Sequence, residues 1–243
     1  MNSVNLDNFA DPFFLGETKE ELRRIRQDFH IHPEIGLITP RTSRIIADLL
    51  RKYGVDEVHE GIGGDGVVGV IYGRLPGEAS VGLRADIDAL PLKELSDHDH
   101  VSQVEGAMHA CGHDAHASMV LGAARILNDH KDELTGKIYV CFQKGEEVAI
   151  GARDIVEYLK EQGGVDKTFG LHIAATVPTG LISLTEGPSM AGACNWQIVV
   201  KGKGGHGSQP YASIDPIKPL AEILMRITSL MVNRMNTLEP IVV

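Results

Sequence analysis

Histidine is the residue type whose distribution in this sequence most strongly indicates chemistry. The 243-residue chain contains 11 histidines, and seven of them occur in four short groups. The groups are His30 with His32, then His109 with His113 and His116, then His172, and finally His206. Imidazole nitrogen is a common ligand of transition metals, so the grouping points to metal binding.

The densest group is the segment HACGHDAH (109–116). Cys111 and His113 lie two residues apart at the start of a predicted helix, so a thiolate and an imidazole can reach the same cation. Asp114 and His116 are expected to contact the metal-binding imidazole and so fix its tautomer. The alternative is an ordinary helix start with a buried cysteine and capping groups. Five such side chains in eight residues favour the metal site.

A pair of carboxylates, Glu146 and Glu147, follows the predicted strand at 137–143. Adjacent residues at a strand end point in different directions, so one carboxylate can bind metal while the other acts as a general base towards water. The alternative is an acidic loop before a helix, where glutamate is favoured by the helix dipole. Taken alone, the pair favours this second interpretation.

Two other predicted strands also end in polar side chains, Asp86 with Asp88 in one case and His172 in the other. Open α/β sheets bind their ligands at the carboxyl ends of the strands. Turn-forming aspartates and a core histidine would explain each strand separately. All these groups together, with the Cys-x-His segment between them, favour a metal-dependent hydrolase.

The elements that must position these residues alternate between helices and strands. Apolar spacing predicts helices at 17–32, 42–53, 115–130 and 152–162, and strands at 66–75, 80–88, 137–143 and 168–173. Pro76-Gly77 is interpreted as the turn between the first two strands. The pattern predicts an α/β domain with a mainly parallel sheet covered by helices on both faces.

The pattern changes after Pro188. Residues 194–207 begin like a half-exposed strand, 215–235 predict a long amphipathic helix, and 240–243 begin a further strand. We therefore expect residues 1–187 to form one domain and 188–243 to form the first half of an α+β second domain.

Composition excludes several classes of protein. With 23 Lys and Arg against 33 Asp and Glu, the formal net charge is −10, which disfavours nucleic-acid binding. No apolar run approaches the roughly 18 residues of a membrane span, and Lys19 is the first basic residue, so no signal peptide is expected. Three cysteines without an export signal are expected to be reduced. The expected location is the cytoplasm.

Five segments together resemble a known family. RADIDALP (84–91), HACGHDAH, the EE pair, LHIAATVPTG (171–180) and GKGGHGSQP (202–210) occur in the order seen in the aminoacylase and carboxypeptidase family of two-metal peptidases. Within it the sequence is most similar to the amidohydrolase branch, which includes hippurate hydrolases, N-acyl-amino-acid deacetylases and auxin-conjugate hydrolases. The resemblance runs from about residue 18 to 243.

The resemblance implies a zinc-peptidase-like catalytic domain with a satellite domain that forms a homodimer. It implies two divalent ions, Mn²⁺ or Zn²⁺, that cleave the amide of an N-acyl amino acid. The site residues that it implies are the metal ligands Cys111, His113, Glu147 and His172, the general base Glu146, the ligand-orienting Asp88, the oxyanion-stabilising His206 and a supporting His32.

The sequence departs from the usual family pattern in ways that leave alternatives open. Lys144 replaces a proline, residues 148–151 replace a glycine-rich stretch, and Tyr211 replaces a histidine. These positions are expected near the substrate pocket, so a dipeptidase or carboxypeptidase is an alternative. The family's last metal-ligating histidine does not occur in this chain, so a truncated, non-catalytic fragment is a further alternative.

Overall fold

The computed structural model describes residues 17–184, 186–187 and 196–234. The chain divides into two compact units, the first ending at Ile182 and the second beginning at Ser183. Within the described ranges, no helix is both long and apolar enough to cross a membrane. The assignment of a catalytic and a satellite domain to residues 1–187 and 188–243 stays a prediction.

The described part of the first unit contains four α-helices and five strands. In chain order they are α1 (Glu17–Ile31), α2 (Pro40–Lys52), β1 (Glu57–Ile62), β2 (Gly66–Tyr72), β3 (Leu75–Asp86), α3 (His113–Asp129), β4 (Thr135–Gln143), α4 (Ala152–Glu161) and β5 (Lys167–Gly170). The predicted helices are all present. Helix α3 begins two residues earlier than expected, which makes His113 its first residue.

The five strands form one sheet in the order β1-β2-β4-β3-β5. Strand β3 is parallel to β4 and β5, whereas β2 is antiparallel to β1 and β4. The α/β class is confirmed: β1, β3, β4 and β5 run in one direction and β2 runs against them. Strand β1 was not predicted; it forms a hairpin with β2, which requires antiparallel pairing.

Helices cover both faces of this sheet, as predicted. Side chains alternate along each strand, so β2 and β4 each contribute to two cores. One core joins the sheet to α1, α2 and α3 through Phe29, Leu50, Leu121, Val67 and Phe142, among others. The opposite core joins it to α4 through Ile155, Leu159, Val68 and Tyr139, among others.

The register of the parallel strands places the predicted site residues at one edge. Asp86 at the end of β3 is paired with Gln143 at the end of β4, and Arg84 is paired with Gly170 at the end of β5. The segments that leave these strands therefore emerge side by side. The predicted turn at Pro76-Gly77 is wrong, because both residues lie within β3, beside a register irregularity.

The second unit contains α5 (Ile217–Arg234) and a 3₁₀ turn at Pro210–Ala212. The strand predicted from residue 194 is not found over its described part, residues 196–202. A single bridge joins Lys203 to Ile214. The strand predicted at 240–243 lies outside the described residues.

Candidate metal centre

The structure brings five of the predicted site residues together at the carboxyl edge of β3, β4 and β5. Ligand atoms of Cys111, His113 and His172 lie within 4.8 Å of one another, and so do those of His113, Glu146 and Glu147. His113 belongs to both groups. Its free nitrogen can bind one ion, and the sulfur, imidazole and carboxylate atoms of the two groups lie close enough to ligate that ion or a neighbouring one.

One ring nitrogen of His113 forms a hydrogen bond, and the other has no partner among the described residues. Its Nδ1–H donates to the backbone carbonyl of Asp88 at 2.8 Å, which leaves the lone pair of Nε2 facing the cluster. Nε2 is buried without a hydrogen-bond partner among the described residues, and so is Oε1 of Glu147, 3.7 Å away. Unpaired buried polar atoms are costly. A cation between the two atoms would satisfy both.

The carboxylate of Asp88 fixes the glutamate pair. Its two oxygens accept the backbone N–H groups of Glu146 at 3.0 Å and Glu147 at 3.1 Å. The same residue therefore orients His113 through its carbonyl and the Glu146–Glu147 backbone through its side chain. Both contacts come from a residue that is completely buried, so the arrangement is rigid.

Cys111 and His172 approach the cluster from separate segments. The Cys111 Sγ lies 3.4 Å from Nε2 of His172, and Nδ1–H of His172 donates to the Ile173 carbonyl at 2.6 Å. His172 therefore presents Nε2, as His113 does. Between Cys111 and His113, Gly112 has φ +84°, a conformation that favours glycine.

The electrostatics of the cluster favour a cation. Burial, together with the neighbouring carboxylates of Glu147 and Glu146, raises the pKa of the Cys111 thiol to about 11. Burial also raises the pKa of Glu147, against the opposing effect of His113. A divalent ion would reverse both effects, because a coordinated thiol is deprotonated. Sulfur, imidazole and carboxylate ligands together fit Zn²⁺ or a similar transition metal.

His116 is fully engaged by protein groups. Its Nδ1–H donates to Oδ1 of Asp86 at 2.6 Å, and its Nε2 accepts the backbone N–H of Ile173 at 2.9 Å. Burial would raise the pKa of Asp86, but the bond from His116 and the charge of Arg84 lower it to about 2. His116 therefore joins β3 to the segment that carries His172, and it has no nitrogen free for a metal.

The expectation that Asp114 orients the His113 ring is wrong. Asp114 accepts hydrogen bonds from His30 and Arg26, both at 2.8 Å, whereas the Asp88 carbonyl orients His113. The reason is helix geometry, since successive residues of α3 are rotated by about 100° and face different neighbours.

Two predicted site residues lie elsewhere. His32 donates its Nδ1–H to the Asp28 carbonyl at 2.9 Å and is not part of the groups above. His206 belongs to the second unit, where it is exposed and has Nδ1 2.9 Å from Oγ of Ser208. The roles of both stay predictions.

Sequence reasoning missed several half-buried polar residues in the first unit. Glu94 and His98 lie in the segment between β3 and α3, and Glu94 contacts His30 at 3.1 Å. Glu34 accepts the N–H groups of Arg41 and Thr42, which caps the start of α2. The only available signal was the residue type, because the contacts join positions far apart in the sequence.

The part of the chain that contains this centre matches a known protein family. Residues 82–229 match the family described as "Peptidase family M20/M25/M40". The chain belongs to this family. The matched range includes Cys111, His113, Glu147 and His172, and the resemblance drawn from the sequence motifs is confirmed.

Relatives of known name extend this M20 assignment. The chain is 42% identical over 230 residues to thermostable carboxypeptidase 2 of Saccharolobus solfataricus, covering 93% of this chain and 58% of that protein. It is 38% identical over 222 residues to N-acetylcysteine deacetylase of Bacillus subtilis, covering 91% and 58%. The chain thus spans somewhat more than half the length of these relatives.

A solved structure is also similar to this M20 chain. It is a dinuclear metal-binding peptidase of the M20 family from Bacillus subtilis, with a TM-score of 0.62 and 36% identity. The match covers 66% of this chain and 45% of that one.

Proposed function

We propose that the protein hydrolyses the amide bond of N-acyl amino acids with two divalent metal ions. The observation that carries the proposal is the pair of buried, unpartnered ligand atoms, His113 Nε2 and Glu147 Oε1, 3.7 Å apart. Cys111 and His172 supply further ligands, and the carboxylate of Glu146 lies beside His113 and Glu147, where it can serve as the base. The M20 relatives, among them a deacetylase of an N-acetyl amino acid, support the substrate class.

The proposed mechanism assigns the proton transfer to Glu146. When bound, the metal ions activate the attacking water and polarise the scissile carbonyl. The Glu146 side chain is about 42% exposed, whereas that of Glu147 is 18% exposed. Glu146 is thus the carboxylate that substrate can reach, and we assign it the proton of water and its delivery to the leaving amine. Asp88 holds the Glu146 backbone in place during this transfer.

Other parts of the proposal rest on the sequence resemblance. They are Mn²⁺ or Zn²⁺ as the metal, oxyanion stabilisation by His206 and a homodimer formed by the satellite domain. Division at residue 187 rests instead on the change of sequence pattern after Pro188, and a cytoplasmic location on the composition.

Apolar side chains near the carboxylate pair support an acyl substrate. A Cβ atom at Gly145 would lie 2.5 Å from Cδ2 of Leu37 and 3.4 Å from Cγ2 of Val148, so both side chains flank the loop before Glu146. Both are also partly exposed, as are Ile38 and Ile150. Such a surface favours an apolar acyl group over the charged amino terminus of a dipeptide.

A peptidase is the second candidate function. The observation that favours it is the 42% identity to a protein named thermostable carboxypeptidase 2. It requires the same ligands and the same general base, so the two candidates differ in substrate alone. An N-acetyl amino acid, an N-benzoyl amino acid and a dipeptide, compared by kcat/KM, distinguish them.

Substitution of the proposed base tests the mechanism. In purified protein loaded with Mn²⁺ or Zn²⁺, Glu146→Gln is expected to lower kcat for release of free amine about 10²- to 10⁴-fold, the range for loss of a general base. Its metal content, measured by mass spectrometry, is expected to equal that of the wild type.

Glu157→Gln is the matched control, because Glu157 is an exposed glutamate that pairs with Arg153 on α4. Its turnover is expected to be unchanged. Full turnover by Glu146→Gln would contradict the assignment of the base, and a wild-type protein that binds metal without hydrolysing any substrate in the panel would favour the non-catalytic alternative.

A further inference from the structure

A second group of histidines lies where the end of α1 meets the segment between β3 and α3. It consists of His30, Glu94, His98 and His100, which we name the His30 cluster. Its possible ligand atoms form a group that shares no residue with the groups around His113. The proposed hydrolysis uses none of them.

Glu94 stands between two imidazoles in this cluster. Its Oε1 lies 3.1 Å from Nε2 of His30 and 3.1 Å from Nε2 of His98. The three atoms lie within 4.8 Å of one another. Two ligands bound to a tetrahedral Zn²⁺ at about 2.1 Å are roughly 3.4 Å apart, so small movements would bring all three atoms onto one ion.

Two of the three possible ligands, His30 and Glu94, have buried side chains, and the side chain of His98 is 35% exposed. The side chains of His30 and Glu94 are only 5% and 3% exposed, and Oε2 of Glu94 accepts the backbone N–H of Ser102 at 2.6 Å. His100 stacks on His98 with ring centroids 4.0 Å apart. Nε2 of His98 is the nitrogen that faces Glu94, and Nδ1 is buried without a hydrogen-bond partner among the described residues.

The surrounding charges favour a cation beside Glu94. Arg26 pairs with Asp114 at 2.8 Å, and His30 Nδ1 contacts the same carboxylate oxygen at 2.8 Å. The ion pairs of Glu94 in the described structure are with the imidazoles of His30 and His98. A buried carboxylate requires a compensating charge, and a divalent ion would supply it even where both imidazoles are neutral.

We propose that His30, Glu94 and His98 bind one Zn²⁺ ion or a similar divalent transition metal, with the fourth position open to water. Two imidazole nitrogens and one carboxylate oxygen are ligands that Zn²⁺ prefers. The ion would join the end of α1 to the β3–α3 segment. His30 is also bonded to Asp114 in the first turn of α3. The ion would therefore help to fix the position of this turn, which carries His113 of the catalytic centre.

Zinc stoichiometry tests the proposal in the 243-residue protein. Equilibrium dialysis against Zn²⁺ followed by mass spectrometry is expected to give one equivalent fewer for His98→Ala than for the wild type. His59→Ala is the matched control, because His59 is an exposed histidine that pairs with Glu57; it is expected to bind as many equivalents as the wild type. Far-UV circular dichroism checks folding, and His98→Asn takes the place of His98→Ala if the alanine variant does not fold.

Cobalt spectroscopy shows which site has lost the ion. With Co²⁺ in place of Zn²⁺, the His98 variant is expected to keep any sulfur-to-cobalt absorption of the wild type, because that band reports Cys111. Equal zinc equivalents in the His98 variant and the wild type would overturn the proposal. Loss of an equivalent in His59→Ala as well, or loss of the sulfur band in the His98 variant, would also overturn it.

Discussion

His113 and His172 have the same arrangement around their rings. Each Nδ1–H donates to a backbone carbonyl, that of Asp88 for the first and that of Ile173 for the second, and each Nε2 is left for a ligand. The sequence could predict which side chains meet at this edge of the sheet, because their types and spacing carry that information. It could not predict what orients them, since a backbone carbonyl has no residue-type signal.

Lys144 shows how a departure from the family pattern is accommodated. The side chain is buried, its ammonium donates to the backbone carbonyl of Gly63, and it lies 3.3 Å from the carboxylate of Asp154. Lys144 therefore joins the end of β4 to the β1–β2 turn and to α4. Its head group is occupied by these structural contacts, and the expectation that this position lies near the substrate pocket stays a prediction.

Gly112 carries a prediction at the scale of a single residue. Gly112→Ala is expected to lower the free energy of unfolding by about 1–2 kcal/mol for the left-handed backbone alone. A further cost is expected because the new Cβ would lie 2.1 Å from Cδ1 of Ile173. The strain should also separate Cys111 from His113 and weaken metal binding. Urea unfolding of metal-free protein and competition with a chelator measure the two effects.

Gly106 provides the control for this substitution. Its φ is +75°, and a Cβ at this position would have no atom within 4 Å. Gly106→Ala is therefore expected to have the backbone cost without a change in metal affinity. Equal metal affinities for the two variants would contradict the positioning role of Gly112.

At the scale of elements, strands with β-branched apolar sequences were predictable and the others were not. β2 and β4 are buried runs, and their composition alone indicates a strand. β1 has the sequence EVHEGI, and is exposed or half-buried throughout. It forms because the following glycine-rich turn folds it against β2, so its pairing partner and not its own apolar content makes it a strand. Residues 196–202 alternate like a strand but pair with no neighbour within the described chain.

The carboxyl edge of the sheet could be predicted as the site because β3, β4 and β5 are parallel. This part of the sheet follows the expected alternation of strands and helices. The antiparallel β1 and β2 lie on one side of it and do not alter which strand ends meet. The unpredicted strand β1 therefore left the location of the site unaffected.

Asp56 connects three elements and gives a prediction of pH dependence. Its carboxylate accepts the backbone N–H of Tyr72 at the end of β2 and the ammonium of Lys131 after α3, both at 2.9 Å. Burial would raise the pKa of Asp56, but these two contacts outweigh it and lower the pKa below 3.8. The stabilisation is thus present above pH 3.8 and is lost as the pH falls through the lowered value.

We expect Asp56→Asn to reduce the loss of stability that metal-free wild-type protein shows on acidification. Urea unfolding at a series of pH values from neutral to below 3.8 measures this slope. Asp132→Asn is the control, since the Asp132 carboxylate is 85% exposed and pairs with Arg74. Equal slopes for the wild type and Asp56→Asn would contradict the role of Asp56.

At the scale of the whole molecule, the net charge of −10 describes the protein without its metal ions. Asp86, Asp88, Glu146 and Glu147 lie around His113 at the carboxyl edge of the sheet. Part of the acidic excess is thus concentrated at one place, where it would attract cations. The first unit contains all of this cluster, so the metal centre can be studied separately from the role proposed for His206.

The most direct test of the account is whether Cys111 binds the metal. Protein loaded with Co²⁺ is expected to show sulfur-to-cobalt charge-transfer absorption, and Cys111→Ser is expected to abolish it. Cys141→Ser is the control, because Cys141 is buried within β4 and its pKa is raised to about 12 by burial; this variant should keep the band. A band that persists in Cys111→Ser, or that disappears only in Cys141→Ser, would contradict the proposed metal centre.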